Sequence, residues 1–130
     1  MVKRNKLERL KEELSFLKNE VLGVLLFGSS ADNSKVKRSD VDICVVAPKQ
    51  KPLSILSLVH QKIDVYKKKY DVYTFEELPL YIKAEVLRKH KVIVANNLPE
   101  LYEYLYFYQK VWDEQKHRQE ITKEEILGTF

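Results

Sequence analysis

The sequence predicts an α/β domain: a small mixed β-sheet of about four strands, flanked by helices and followed by an aromatic C-terminal helix. Three observations lead there. Short apolar runs suited to buried strands alternate with longer segments whose apolar residues recur every three or four positions. The 130 residues contain no repeat and no linker-like stretch, so one domain over 1–130 is expected, with a core of about 5–97 and a helical extension over 98–130. With 45% hydrophobic and 32% charged residues, the chain is too apolar for disorder.

The elements follow in order. Leu7, Leu10, Leu14, Leu17 and Val21 form one apolar stripe, with Lys and Glu between, predicting an amphipathic helix of about four turns. Val21–Phe27 reads as a buried strand, apolar on both faces, which Gly28-Ser29-Ser30 ends abruptly. Residues 31–39 are polar and basic, a loop or short helical turn. Asp40–Val46 is a second strand with Val41, Ile43 and Val45 on one face. Pro48 and Pro52 bracket a turn, after which Leu56, Val59, Ile63, Tyr66 and Tyr70 repeat a helical stripe. Asp71–Phe75 is a short strand, and Thr74-Phe75-Glu76-Glu77 reads as a capping box opening the next helix. Lys91–Ala95 is the fourth strand, residues 99–118 a helix, and Thr122-Lys123-Glu124-Glu125 a cap for one last turn.

Composition removes several function classes. Only Gly23, Gly28 and Gly128 are glycines, which excludes collagenous and low-complexity chains and P-loop enzymes. A single cysteine, Cys44, allows no internal disulfide and no thiolate zinc site, and suits a reducing cytoplasm. The longest apolar run is too short to span a bilayer, and the charged, periodic N-terminus lacks the apolar stretch of a signal peptide. Lys and Arg number 23 against 19 Asp and Glu, and a balance of +4 makes no case for nucleic acid by itself.

The chemistry concentrates in two stretches. Asp40 and Asp42 stand two apart on a strand, so both carboxylates project from one face, about 7 Å apart along the chain. Neighbouring carboxylates repel, and a hard divalent cation such as Mg²⁺, which takes carboxylate and phosphate oxygens, resolves the conflict. On spacing alone, a wet edge strand with no role fits the pair equally well. Gly28-Ser29 directly follows the buried strand, where a backbone without a side chain can approach a phosphate and Ser hydroxyls can donate to it. A tight turn accounts for Gly-Ser equally well.

Together the two elements are more specific. Gly28-Ser29, the ten residues Ser30 to Ser39, then Asp40-Val41-Asp42 resembles the signature of minimal nucleotidyltransferases in the DNA polymerase β superfamily, in particular the antitoxin-type members that pair with HEPN-domain toxins. The resemblance runs over roughly residues 5–97 and includes the leading helix, the Leu25-Leu26-Phe27-Gly28-Ser29 strand end, and the Phe75-Glu76-Glu77-Leu78-Pro79 segment. It implies a nucleotidyltransferase-like fold and Mg²⁺-dependent transfer of AMP from ATP to a hydroxyl, with a tyrosine of a cognate HEPN toxin as acceptor. Asp40, Asp42 and Asp71 would be the catalytic and metal-binding carboxylates, holding two Mg²⁺ when nucleotide is bound. Gly28, Ser29 and Ser30 would bind the nucleotide. Asp64 is the rival to Asp71, though it lies within a helical pattern. Relatives often follow Gly-Ser with Arg or Tyr and then Ala-Arg-Gly, whereas this chain has Ser30-Ala31-Asp32-Asn33. Asp32 adds negative charge there, which Lys35, Lys37 and Arg38 in the same loop could offset, although a solvated basic loop accounts for them as well.

Two other readings stand beside this one: a non-catalytic module that silences its partner by binding, and a nucleotidyltransferase acting on a small molecule. His60, His90 and His117 match no ligand spacing and read as surface or packing residues. Cys44 reads as a small apolar side chain. Leu101-Tyr102-Glu103-Tyr104-Leu105-Tyr106-Phe107-Tyr108 puts aromatic or apolar groups on almost every side of its helix. Core packing uses part of that surface. The remainder over 101–112 is expected to meet another chain, either a second copy in a homo-oligomer or the toxin.

Overall fold

The computed structural model describes residues 6–28 and 41–128, with side chains through residue 120. The described elements are α1 (Lys6–Glu13), β1 (Gly23–Phe27), β2 (Val41–Val46), α2 (Pro52–Lys62), α3 (Val65–Lys68), β3 (Tyr70–Thr74), α4 (Leu80–Arg88), β4 (His90–Ala95) and α5 (Leu98–Gly128). Short 3₁₀ turns occupy Ser15–Leu17 and Phe75–Glu77. The four strands form one mixed sheet in the order β3-β2-β1-β4. β1 is antiparallel to both β2 and β4, and β2 is parallel to β3. The predicted fold class is the observed one.

Burial on both faces explains why β1 and β2 are nearly continuous apolar runs. One face carries Val24, Leu26, Val41, Ile43 and Val45 against Leu10, Leu14 and Leu17 of the N-terminal segment and Ile55 and Val59 of α2. The other packs Leu25, Cys44 and Val46 against Phe75, Val86 of α4, and Leu101 and Leu105 of α5.

The first helix is shorter than its stripe suggests. The Ser15 hydroxyl donates to the Glu12 carbonyl at 2.7 Å, a local bond that competes with the helical ladder. The backbone tightens into the 3₁₀ turn, yet Leu14, Leu17 and Val21 stay buried. The second stripe is also corrected. Ile55 is the buried residue where Leu56 was expected, Tyr66 is 85% exposed, and Tyr70 opens β3 instead of closing a helix. The helical pattern breaks after Lys62 because Asp64 starts a new turn, its carboxylate accepting the Lys67 N–H at 3.1 Å.

No capping box forms at Thr74, whose side chain makes no cap hydrogen bond. Phe75 is fully buried and pins the 3₁₀ turn, so α4 starts only after Pro79. The predicted break before Thr122 is likewise absent, as α5 runs unbroken from Leu98 to Gly128. No glycine or proline lies between Pro99 and Gly128 to interrupt it.

Gly23, which composition left unexplained, sits where α5 crosses β1. A Cβ there would lie 2.7 and 2.9 Å from the two Leu101 methyls and 3.2 Å from the Val94 carbonyl oxygen. Leu101 is fully buried and has nowhere to retreat. Gly23→Ala is therefore expected to destabilise the fold by about 1–3 kcal/mol, as overpacking does, read as a lower midpoint in urea unfolding.

Glu13 joins α1 to the α3–β3 corner, accepting from Lys68 Nζ at 2.6 Å and from the Tyr70 hydroxyl at 2.6 Å. Partial burial works to raise its pKa, but these two hydrogen bonds and the Lys68 and Arg9 charges outweigh it, so the carboxyl sits below its ordinary value of 4.5. The ionised form is favoured by folding, so its contribution is present above that ordinary value and is lost as pH falls through the lowered one. Glu13→Gln is expected to lower stability at neutral pH by up to ~1 kcal/mol, as befits a half-exposed pair. The gap to the wild type should close on acidification, measured by denaturant unfolding across pH.

Candidate active site

β1, β2 and β3 end side by side, and pairing sets three residues in a row: Phe27 opposite Asp42, and Asp42 opposite Asp71. Residues paired across strands share a face, with backbones about 4.8 Å apart. Asp42 and Asp71 are thus neighbours on the face that carries Phe27, both half-buried. The Phe27 and Tyr73 rings meet edge to face beside them, centroids 5.6 Å apart. Strand alternation does the sorting: Val41 and Ile43 point into the α1–α2 core while Asp42 points the other way.

Gly28 follows β1 with φ +67°, a left-handed conformation that suits glycine. A Cβ at this position would fall 2.6 Å from Asp42 Oδ2. The glycine therefore lets the chain turn hard against the Asp42 carboxylate with no side chain between them. Two carboxylates on adjacent strands repel in a half-buried setting. An oxygen-only donor pair with a cleared approach suits a hard divalent cation such as Mg²⁺.

The sequence-predicted set is therefore brought together in part. Gly28, Asp42 and Asp71 converge, while Ser29, Ser30 and Asp40 lie outside the described residues, as do Asp32, Lys35, Lys37 and Arg38. Among the described residues, no group of three His, Cys, Asp or Glu side chains is placed to hold a metal. Asp64, the rival third carboxylate, is occupied as the cap of α3.

A family model described as Polymerase beta, Nucleotidyltransferase matches residues 8–99. The chain belongs to this nucleotidyltransferase family. A protein of Methanocaldococcus jannaschii named "Putative protein adenylyltransferase MJ1547" is 44% identical over 101 residues, covering 77% of this chain and 76% of that one. A chain of a toxin–antitoxin crystal structure with AMP-PNP superposes with a TM-score of 0.70 at 12% identity, covering 95% of this chain and 99% of that one. A chain from the complex of tri-AMPylated Shewanella oneidensis HEPN toxin with MNT antitoxin gives 0.65 at 11% identity, covering 93% of this chain and 98% of that one. At these identities the structural likeness establishes the nucleotidyltransferase fold.

Several further titratable groups of this nucleotidyltransferase have structural employment. His90 Nδ1 lies 2.9 Å from the Val86 carbonyl at the end of α4. Cys44 is buried, and burial first, then the Glu76 charge, pushes its thiol far up, which makes it inert. Glu76 accepts the Ala47 N–H at 3.1 Å and the Tyr104 hydroxyl at 2.9 Å. Burial, the Tyr108 hydroxyl and the Glu76 charge together keep Tyr104 protonated. Lys83 lies over the Tyr108 ring at 4.7 Å, completing a polar cluster that ties α5 to β2. Sequence reasoning missed this cluster because its members are distant in the chain.

The aromatic helix divides its residues. Leu101, Tyr104, Leu105 and Tyr108 face the core, whereas Tyr102, Tyr106 and Phe107 are exposed.

Proposed function

We propose that this nucleotidyltransferase moves AMP from ATP to a hydroxyl on a partner protein, a tyrosine of a HEPN-domain toxin, and thereby acts as an antitoxin. The observation that carries the proposal is the register of Asp42 with Asp71 on one sheet face, beside a glycine whose missing Cβ lets the backbone pass close to the Asp42 carboxylate. The Methanocaldococcus relative, a protein adenylyltransferase by name, and the AMPylated HEPN toxin of the Shewanella complex support the choice of acceptor.

Asp40, Asp42 and Asp71 would hold Mg²⁺, two ions with nucleotide bound, and Gly28, Ser29 and Ser30 would hold the phosphates. When bound, the metal supplies charge neutralisation at the attacking and leaving oxygens of an in-line displacement. Asp71 orients the acceptor hydroxyl and takes its proton. The acceptor oxygen bonds to the α-phosphorus, the bond from that phosphorus to the bridging oxygen breaks, and pyrophosphate leaves. Gly28 turns the chain so that its backbone, rather than a side chain, borders the phosphates. An ATP-using enzyme of this kind works in the cytoplasm, and among the described residues no helix is long and apolar enough to cross a membrane.

The test is transfer from α-labelled ATP, with Mg²⁺, to the purified product of the neighbouring reading frame, which the proposal expects to be a HEPN protein. Label on that protein, removed by phosphodiesterase as AMP, is expected; an unlabelled partner that is silenced without ATP overturns the proposal. That second outcome is the binding-module reading. The exposed Tyr102, Tyr106 and Phe107 favour it as a contact surface, toward the toxin or a second copy.

A further inference from the structure

A cavity of about 310 Å³ opens along β3, lined by His60, Tyr66, Lys69, Asp71, Val72 and Tyr73 among others. Its lining comes from both faces of the strand, so it lies along the strand's edge. β3 ends the sheet, with β2 on its other side. The pairing fixes which backbone groups face that edge. Val41 N–H donates to the Lys69 carbonyl at 2.9 Å, and Val41 is in register with Tyr70. In a parallel ladder Lys69, Asp71 and Tyr73 therefore address β2, while the N–H and C=O groups of Tyr70 and Val72 address the outer edge, Thr74 beyond them being buried. Asp71 thus lies on a strand whose outer side offers a row of backbone donors and acceptors.

We propose that the acceptor protein docks here as an added strand, an extended segment with acidic flanks that sets its hydroxyl-bearing residue in register with Asp71. This rests on the transfer reading above and names how its acceptor is held. A residue paired with Asp71 shares the sheet face of Asp42 and Asp71, so its hydroxyl arrives beside the candidate carboxylates. Main-chain bonds to Tyr70 and Val72, the outward-facing residues of β3 that are not buried, supply affinity without demanding a particular sequence. Tyr66, 85% exposed and 6.2 Å from the His60 ring, forms an aromatic wall over the cavity. Lys69 lines the cavity and is exposed, as are Lys62 at the end of α2 and Lys67 in α3, and this positive charge, in excess of the single acid Asp64 between them, selects the acidic flanks. Lys69 holds a left-handed conformation, φ 57°, which turns the chain out of α3 directly into the edge.

The test uses the full chain, α-labelled ATP, Mg²⁺ and a short synthetic peptide: a central tyrosine between valines and threonines, with glutamate at each end. One analogue is N-methylated on the tyrosine, a second on the residues flanking it, and free tyrosine amide serves as the undocked acceptor. An added strand turns only one of these two sets of amides toward β3. One analogue should therefore lose at least about tenfold in kcat/KM, through KM, while the other matches the parent. Loss with the flanking pair methylated means an antiparallel added strand, and loss with the tyrosine methylated a parallel one. Val72→Pro, which removes an outward N–H, should raise the peptide KM while ATP binding by calorimetry stays unchanged. If that variant fails to fold, the methylated peptides decide alone. Equal labelling of parent and both analogues overturns the docking mode, as does a peptide no better than tyrosine amide; in either case the transfer reading survives. If neither peptide nor amide is labelled, the docking mode falls; where the HEPN protein too stays unlabelled, the transfer reading falls with it.

Discussion

Asp42→Asn is expected to cut nucleotide transfer roughly a thousandfold, the rate equivalent of losing several kcal/mol of transition-state stabilisation. The side chain keeps its shape, so the strand pairs as before, but one of the two charges facing each other across β2 and β3 disappears. Without divalent cation, the variant should lie close to the wild type in stability, because relief of the like charge on Asp71 is set against the loss of Asp42's own interactions. With Mg²⁺ the two should part. The wild type should melt higher by an amount that grows with cation concentration, and Asp42→Asn should respond little. Asp71→Asn should behave in the same way, since the two carboxylates are register partners. Thermal melting with and without Mg²⁺, alongside label transfer, measures all three expectations. A variant that melts as the wild type does in both conditions and still transfers AMP would remove Asp42 from the site.

How far this site was legible from sequence differs residue by residue. Asp42 was readable because strand alternation is local: Val41, Ile43 and Val45 had to enter the core, so the residues between them faced the other way. Asp71 was reached only through a family likeness. What makes it a neighbour of Asp42 is the parallel pairing of β2 with β3, and parallel strands leave no turn signal between them to reveal it. The fold class was readable because apolar runs of strand length alternate with helical stripes. Ends of elements were not, because they turn on single contacts such as the Ser15 hydroxyl on Glu12 or the Asp64 cap on α3. Gly23 and Glu76 mark the same boundary. Each is explained by α5, through Leu101 and Tyr104, and no local pattern announces a partner so far along the chain.

Gly28 is the position where conformation and chemistry meet, and Gly28→Ala should have the largest effect of any single methyl added to the described residues. Two separate costs arise. Holding alanine at φ +67° costs roughly 1–2 kcal/mol, because its Cβ crowds the following carbonyl in the left-handed region. The same Cβ would stand 2.6 Å from Asp42 Oδ2, so either the carboxylate swings away or the turn after β1 shifts. Either movement misplaces a group by about an ångström, which can cost a hundredfold in rate by itself. Transfer should therefore fall at least about a hundredfold, together with a lower unfolding midpoint. The two costs can be separated by a double-mutant cycle with Asp42→Gly, which deletes the carboxylate that the methyl strikes. If the clash matters, Gly28→Ala should destabilise Asp42→Gly less than it destabilises the wild type, leaving only the conformational share. Equal destabilisation in both backgrounds would mean that Asp42 moves aside freely. In that case Gly28 would be needed for its turn alone, and the approach to the carboxylate would tolerate a side chain.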